Sequence, residues 1–281
     1  FTFAATSERP DSIREVYILV IGETSRALNW QLYGYPRETT PRLMQQEGLI
    51  HFRDMLTQAN ATHKSVPIML CSASAENYGT LYTHKSILTA FREAGFRTAF
   101  LSNQSENHSF IDFFGREADT TLFLKTTAEA CGETCNPYDD VLLQSVSPLL
   151  SDTSLRKLFL VLHTYGSHFD YQERYPSDSA YFRPAAYAAV HRDERSVLLN
   201  AYDNSIRATD RLPCRTPPPG CSTPPTTAKT STTTTATSSC TPRPVRPTTS
   251  CTSRASCGFR RPMTPSGPGA GCRRNPTATN R

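Results

Sequence analysis

A carboxylate, a hydroxyl and two imidazoles stand where short apolar runs begin or end, and these are the residues of the chain best placed for chemistry. Glu23 follows Val16-Tyr17-Ile18-Leu19-Val20-Ile21 and Gly22. A continuous apolar run of that length reads as a buried strand, so Glu23 stands at a strand's C-terminal edge, where a carboxylate suits a divalent metal ion. The same carboxylate could instead favour the N-terminus of a following helix. Thr62 lies in the polar stretch Ala61-Thr62-His63-Lys64-Ser65, ahead of Pro67-Ile68-Met69-Leu70. A hydroxyl at a helix start beside a cation becomes a nucleophile, because the cation lowers its pKa and helix N–H groups receive phosphate oxygens. A plain helix cap is the other reading of Thr62. His163 ends the run that begins at Leu158, and His168 follows the Gly166-Ser167 turn. His163 reads as a satisfied structural histidine, and His168 as a loop residue able to contact phosphate or metal.

Cys131 and Cys135 enclose three residues. A lone pair lacks the four ligands of a structural zinc site, so a small disulfide in an oxidising compartment is the favoured reading. Cys71 is then left as a buried thiol.

The elements that must position these groups alternate. Strands are expected at Val16–Ile21, Phe96–Leu101 and Leu158–Leu162. Helices are expected over Thr40–Gln46, Ser86–Ala94, Asp139–Val146 and Asp193–Leu212. Within Ser86–Ala94, Ile87, Leu88, Phe91 and Ala94 share one face, and Gly95 stops the helix. The alternation predicts an α/β fold, a layered and mostly parallel sheet flanked by helices, with ligands at the carboxyl ends of its strands.

Composition divides the chain near Leu212. All 25 acidic residues precede it, whereas ten of the 30 basic ones follow it, so the front part is five charges negative. The tail also holds 13 of the 21 prolines, six of the nine cysteines and long Thr/Ser runs, with Phe259 as its one aromatic. Residues 1–12 read as a linker, 13–211 as a globular catalytic portion and 212–281 as a disordered Pro/Thr/Arg-rich tail. A basic tail without interleaved aromatics does not make a nucleic-acid interface. The chain opens on Phe1 rather than Met, which suggests a fragment or a processed product.

The segments Val20-Ile21-Gly22-Glu23-Thr24-Ser25-Arg26, Leu32 to Pro41, Thr62-His63-Lys64-Ser65-Val66-Pro67, Cys135 to Asp140, His163 to His168, Arg174-Tyr175-Pro176 and Tyr202-Asp203-Asn204-Ser205-Ile206 occur in one order. Together they resemble the alkaline-phosphatase/sulfatase superfamily, and within it the bacterial phosphoethanolamine transferases that modify lipid A. The resemblance implies Glu23 as a zinc ligand and Thr62 as both zinc ligand and phosphate-accepting nucleophile. His168 would contact the phosphoryl group or a second metal, with His163 and Lys64 as further substrate-side candidates. Tyr202-Asp203-Asn204 would belong to a structural helix. The family's catalytic domain lies in the periplasm, behind N-terminal inner-membrane helices that this sequence does not contain. Gln58 and Ile68 stand where many relatives carry cysteines. Cys71-Ser72-Ala73-Ser74-Ala75 does not supply the C/S-x-P-x-R context of a true sulfatase.

The family's remaining zinc ligands lie in a downstream Asp-His-Gly-Glu motif and a later Leu-His segment, and nothing after Ser205 supplies them. The tail suggests a reason. Codons that encode Pro225 to Thr234 can be chosen so that the frame starting at their third base reads Asp-His-Gly-Glu-Asp-Ile-Tyr-Asp-Asp. Thr235 to Pro242 can likewise yield Arg-His-Leu-Phe-Leu-His-Ala, and Pro247 to Arg254 Tyr-Tyr-Gln-Leu-His-Val-Pro. The expectation is a frameshift near Leu212, with a genuine Pro/Thr-rich stalk as the alternative. By resemblance the intact protein takes phosphoethanolamine from phosphatidylethanolamine onto Thr62 and passes it to a lipid A phosphate. The chain as given, holding two of four zinc ligands, is expected to be inactive. Phosphoglycerol transfer, another phosphodiesterase activity, or a non-catalytic remnant are the competing readings.

Overall fold

The computed structural model describes residues 1–130, 137–212 and 232–235, the side chains of 128–130 and 232–235 excepted. Its centre is a five-stranded, wholly parallel sheet in the order β3-β2-β4-β1-β5. The strands are β1 (Glu15–Ile21), β2 (Arg97–Ser102), β3 (Thr120–Phe123), β4 (Lys157–His163) and β5 (Thr232–Thr235). β4 lies between β1 and β2, which explains its unbroken apolar run: Leu158 to Leu162 are all buried. Register pairs Ile21 with His163 and Ser102 with His163, so three strands end at one level.

Helices cover both faces: α1 (Pro41–Met44), α2 (Thr62–Leu70), α3 (Ile87–Glu93), α4 (Phe110–Gly115), α5 (Leu124–Ala130), α6 (Asp140–Ser151) and α7 (Arg195–Thr209). One core gathers Ile21, Val66, Leu70, Leu88, Phe100, Phe114, Phe159 and Val161. The other gathers Ala99, Leu101, Leu142, Val146, Leu160 and Leu162. Alternate residues of β2 and β4 thus face opposite layers.

Several expectations need correction. Asp193–Leu212 is helical only over Arg195–Thr209, after a 3₁₀ turn at Arg192–Glu194. The helix expected to end at Val146 runs to Ser151, because Pro148 sits in its last turns, where it forfeits only one backbone bond. Within α3, Leu88 is fully buried while Ile87, one position from the cap Ser86, is exposed. Cys71 is half-buried rather than buried, and burial pushes its thiol pKa up. Strand β3 and helix α4 were not expected, being too short to show a period.

The tail was expected to be disordered throughout, yet Thr232–Thr235 pair in parallel with Ile18–Ile21 at the open edge of β1. Threonine favours extended backbone, and an edge strand offers unpaired N–H and C=O groups to any such run. Cys131 and Cys135 lie outside the described residues.

Candidate active site

Glu23 leaves the end of β1 almost completely buried. Its carboxylate accepts from the Thr24 hydroxyl at 2.6 Å and from the Thr62 hydroxyl at 3.0 and 2.9 Å to its two oxygens. The amide of Gln104, just beyond the end of β2, reaches Oε2 at 3.4 Å. No Lys or Arg forms an ion pair with this carboxylate among the described residues. A buried anion served only by neutral donors is electrostatically incomplete and favours a cation. Thr24 holds φ +51°, unusual for a β-branched residue and a strain located at the site itself.

Thr62 is the first residue of α2, with Ala61 at the cap position. Its hydroxyl is turned to Glu23 and not to the helix's own N–H groups, so the cap reading of Thr62 gives way. The helix-cap reading of Glu23 gives way for the same reason. Residues 39 positions apart in sequence meet because β1 ends and α2 begins on the same side of the sheet.

His163, at the end of β4, is 1% exposed, with Nδ1 3.1 Å from Ser102 Oγ and Nε2 3.1 Å from Gln104 Nε2. Gln104 Nε2 can only donate, so Nε2 of His163 accepts and the proton sits on Nδ1. Burial holds the imidazole pKa down to about 4 despite the nearby Glu23 carboxylate, so it is neutral at pH 7. His163 therefore faces Gln104 rather than open space. Gln104 escaped the sequence reading. Its one signal was position, directly after a strand's C-terminal end, as with Glu23.

The turn after β4 presses on Glu23. Gly166 has φ +53°, and a Cβ there would lie 2.7 Å from the Glu23 carbonyl oxygen. Ser167 N–H donates to that oxygen at 2.9 Å. Asp139 fixes the turn, accepting from Tyr165 N at 2.7 Å, Gly166 N at 2.8 Å and the Asn103 amide at 2.9 Å. Burial raises the Asp139 pKa, and these donors oppose it. His168 is exposed, its ring stacked on Tyr165 at 4.9 Å, and Lys64 is exposed on the first turn of α2. Gln58 accepts from Ala75 N at 2.7 Å, and Ile68 is buried in the core.

Asp203 of α7 is fully buried, with Arg37 Nη1 at 2.7 Å, Tyr35 O–H at 2.8 Å and the Asn29 amide at 3.0 Å. Asp210 accepts from the N–H groups of Arg42 and Leu43 at 2.8 and 3.0 Å, capping α1. These contacts tie α7 to the segment after β1, the structural role implied for Tyr202-Asp203-Asn204.

Glu23 and Thr62 could offer two oxygen donors to a metal ion. Among the described residues no group of three or more His, Cys, Asp or Glu side chains gathers to hold one. The described residues therefore do not fit a complete zinc site, which takes at least three protein ligands.

The sulfatase family profile matches residues 15–212. The Kdo(2)-lipid A phosphoethanolamine 7''-transferase of Escherichia coli K12 is 28% identical over 209 residues, covering 73% of this chain and 36% of that protein. Phosphoethanolamine transferase EptA of Escherichia coli O157:H7 is 31% identical over 201 residues, covering 70% and 36%. The soluble domain of lipooligosaccharide phosphoethanolamine transferase A from Neisseria meningitidis superposes with a TM-score of 0.63 at 26% identity, over 74% of this chain and 62% of that one. The periplasmic domain of Escherichia coli EptC, solved in complex with Zn, matches in fold with a TM-score of 0.62 at 24% identity, over 72% and 58%. The chain spans about a third of the length of the curated relatives it matches.

Proposed function

Because this chain belongs to the sulfatase family, we propose that it is the N-terminal portion of the catalytic domain of a phosphoethanolamine transferase acting on lipid A. The observation that carries this reading is the Thr62 hydroxyl held against both oxygens of the buried Glu23 carboxylate. In the proposed reaction, Thr62 Oγ attacks the phosphorus of phosphatidylethanolamine. A Thr–O–P bond forms, the bond to the glyceryl oxygen breaks, and diacylglycerol leaves with the proton. A lipid A phosphate oxygen then attacks the same phosphorus and frees Thr62. The chain's own contribution is orientation: Glu23 aims the hydroxyl, and Gln104 and the Gly166 turn hold Glu23. His168 and Lys64 lie on the substrate side in this reading. His163, enclosed behind Gln104, acts through that amide.

Relatives matched over similar spans carry phosphoethanolamine transferase names, and one is solved with zinc, which supports zinc as the family's metal. With two donors among the described residues, this chain in our reading holds zinc weakly or not at all and is inactive as given. We further propose that the tail beyond Leu212 is out of frame and that its alternative frame supplies the missing Asp and His. In this account the domain resides in the periplasm, anchored to the inner membrane by helices outside this sequence. Among the described residues no helix is long and apolar enough to cross a membrane.

The test is to sequence the gene across the codons near Leu212 and compare the two frames in one assay. The frame-restored protein should titrate zinc stoichiometrically by calorimetry and move phosphoethanolamine to lipid A. The chain as given should do neither. Codons incompatible with the second frame, or tight zinc binding by the chain as given, would overturn the reading. Turnover only with phosphatidylglycerol would redirect it to phosphoglycerol transfer.

A further inference from the structure

The edge at which the strands begin, opposite the one that carries Glu23, holds two buried charges side by side. Glu15 opens β1, Lys157 opens β4, and the register sets them directly opposite each other. Their side chains are 4% and 9% exposed. They do not pair with each other. Glu15 instead meets Arg9 Nε at 3.7 Å, and Lys157 Nζ meets Asp11 Oδ1 at 2.5 Å. Among the described residues neither has another ion-pair partner. Arg9 and Asp11 stand two positions apart in the segment that precedes β1. The Arg156 guanidinium fastens the same stretch through the Ser12 carbonyl oxygen. Farther along, Glu93 at the end of α3 accepts from the Thr2 hydroxyl at 2.9 Å and from the N–H groups of Phe3 and Ala5, each at 3.2 Å. Between the two fastenings runs a groove of about 600 Å³, with Thr6 and Ser7 on the segment's side and Gly95 and Arg97 on the domain's.

The geometry points to a clasp: this edge of the sheet is the docking surface for the chain's own residues 2–12, recognised by the charge order of Arg9 and Asp11. A buried charge is tolerated only when it is paired, and here the segment supplies both partners. Order matters as much as sign. A positive and then a negative group along the segment meet a negative and a positive group on adjacent strands, so reversing the two would set like against like. Glu93 works by a different chemistry, as a carboxylate that collects a hydroxyl and two backbone N–H groups. Fastened at both ends, the segment is a strut and not a free tether. β1 starts at this clasp and ends two residues before Glu23, so the strut steadies the strand that aims the carboxylate. That the strut sets the catalytic portion against a membrane anchor rests on the transferase reading; the clasp itself does not.

The experiment is nitrogen-15 relaxation of the full chain, read at the amides of Thr2 to Ser7, which lie clear of the substituted positions. The unsubstituted chain should give order parameters of about 0.8 there. Arg9→Asp with Asp11→Arg keeps composition and net charge but reverses the order, and should lower them below about 0.6. In that variant the amides of Tyr17 to Val20 should stay protected from hydrogen exchange. Glu15 and Lys157 stand on neighbouring strands, close enough to pair with each other once the segment leaves. Should the reversal also unlock β1, the milder Arg9→Gln with Asp11→Asn decides, with loosening at Thr2 to Ser7 and an intact β1 expected. Order parameters at Thr2 to Ser7 that do not move in the deciding variant, or that lie below about 0.6 in the unsubstituted chain, would overturn the proposal. A failed transfer assay of the frame-restored protein with an ordered segment would count against the transferase reading and leave the clasp standing.

Discussion

Glu23 is a buried carboxylate that receives a hydrogen bond from Thr62 yet has no cationic side chain paired with it among the described residues. Such a group works against folding unless a cation completes it. Glu23→Gln should therefore leave the melting temperature unchanged or raise it, by up to about 1–2 kcal/mol of stability, and in the frame-restored protein it should abolish cation binding and transfer. A large loss of stability in a thermal melt would show that the carboxylate is structural. Gly166→Ala should act in the opposite direction. Its Cβ would meet the Glu23 backbone at 2.7 Å in a φ +53° conformation, so the variant should lose about 1–3 kcal/mol and displace Glu23. Denaturant titration measures the first effect, and the amide shifts of Glu23 and Ser167 report the second. The residues of this site were unevenly legible. Glu23 stood out because an apolar run aims at it. Its pairing with Thr62 could be expected only from the family resemblance, since no local spacing joins residues 39 apart. Gln104 looked like any amide in a polar loop, and only the end of β2 gives it meaning.

At the level of elements, three strand ends meet, and one carboxylate ties two of them. Asp139 joins the Asn103 loop to the Tyr165-Gly166 turn through three hydrogen bonds. Asp139→Ala should cost about 2–4 kcal/mol, because two backbone N–H groups lose their acceptor and the Asn103 amide keeps only the Pro137 carbonyl oxygen. Hydrogen exchange at Tyr165 and Gly166 should accelerate with it, and unchanged protection there would contradict this role. His163 gives the same junction a pH dependence. Its folded pKa of about 4 lies below the ordinary 6.5, so the unfolded chain takes up the proton first. Its contribution is complete above pH 6.5 and is lost as the pH falls towards 4, on the order of 3 kcal/mol. His163→Gln should remove that part of the acid slope in melts across this range, and an identical slope in the variant would refute it. The long apolar strands were readable because burial on both faces leaves no alternation to misread. β3 and α4 were not, since four and six residues are too few to show a period. Thr232–Thr235 extends the sheet for a reason composition could not show: the edge of β1 accepts any extended backbone.

Across the whole molecule, a sheet with an acidic front part is followed by a tail of different composition, and among the described residues no group of three metal-ligating side chains gathers at the sheet's edge. Ile50, Phe52, Met55 and Leu56 are all more than half exposed in the segment that leads to Thr62, more apolar surface than an isolated domain tolerates well. Phe52→Ser with Leu56→Ser should raise soluble yield without moving the melting temperature, as size-exclusion chromatography and a thermal melt would show. No gain in soluble yield would separate solubility from this surface. The fold class was legible because alternation of strand and helix is a property of the front part alone, which the tail cannot disguise. The completeness of the site was not legible from spacing, because ligands in this architecture come from strand ends far apart in sequence. The central claim is that Glu23 and Thr62 are one reacting centre. Its most direct test is peptide mass mapping of the frame-restored protein after incubation with phosphatidylethanolamine. A phosphoethanolamine adduct should sit on Thr62 and vanish in Glu23→Gln. An adduct on another residue, or one that persists in Thr62→Ala, would contradict the claim.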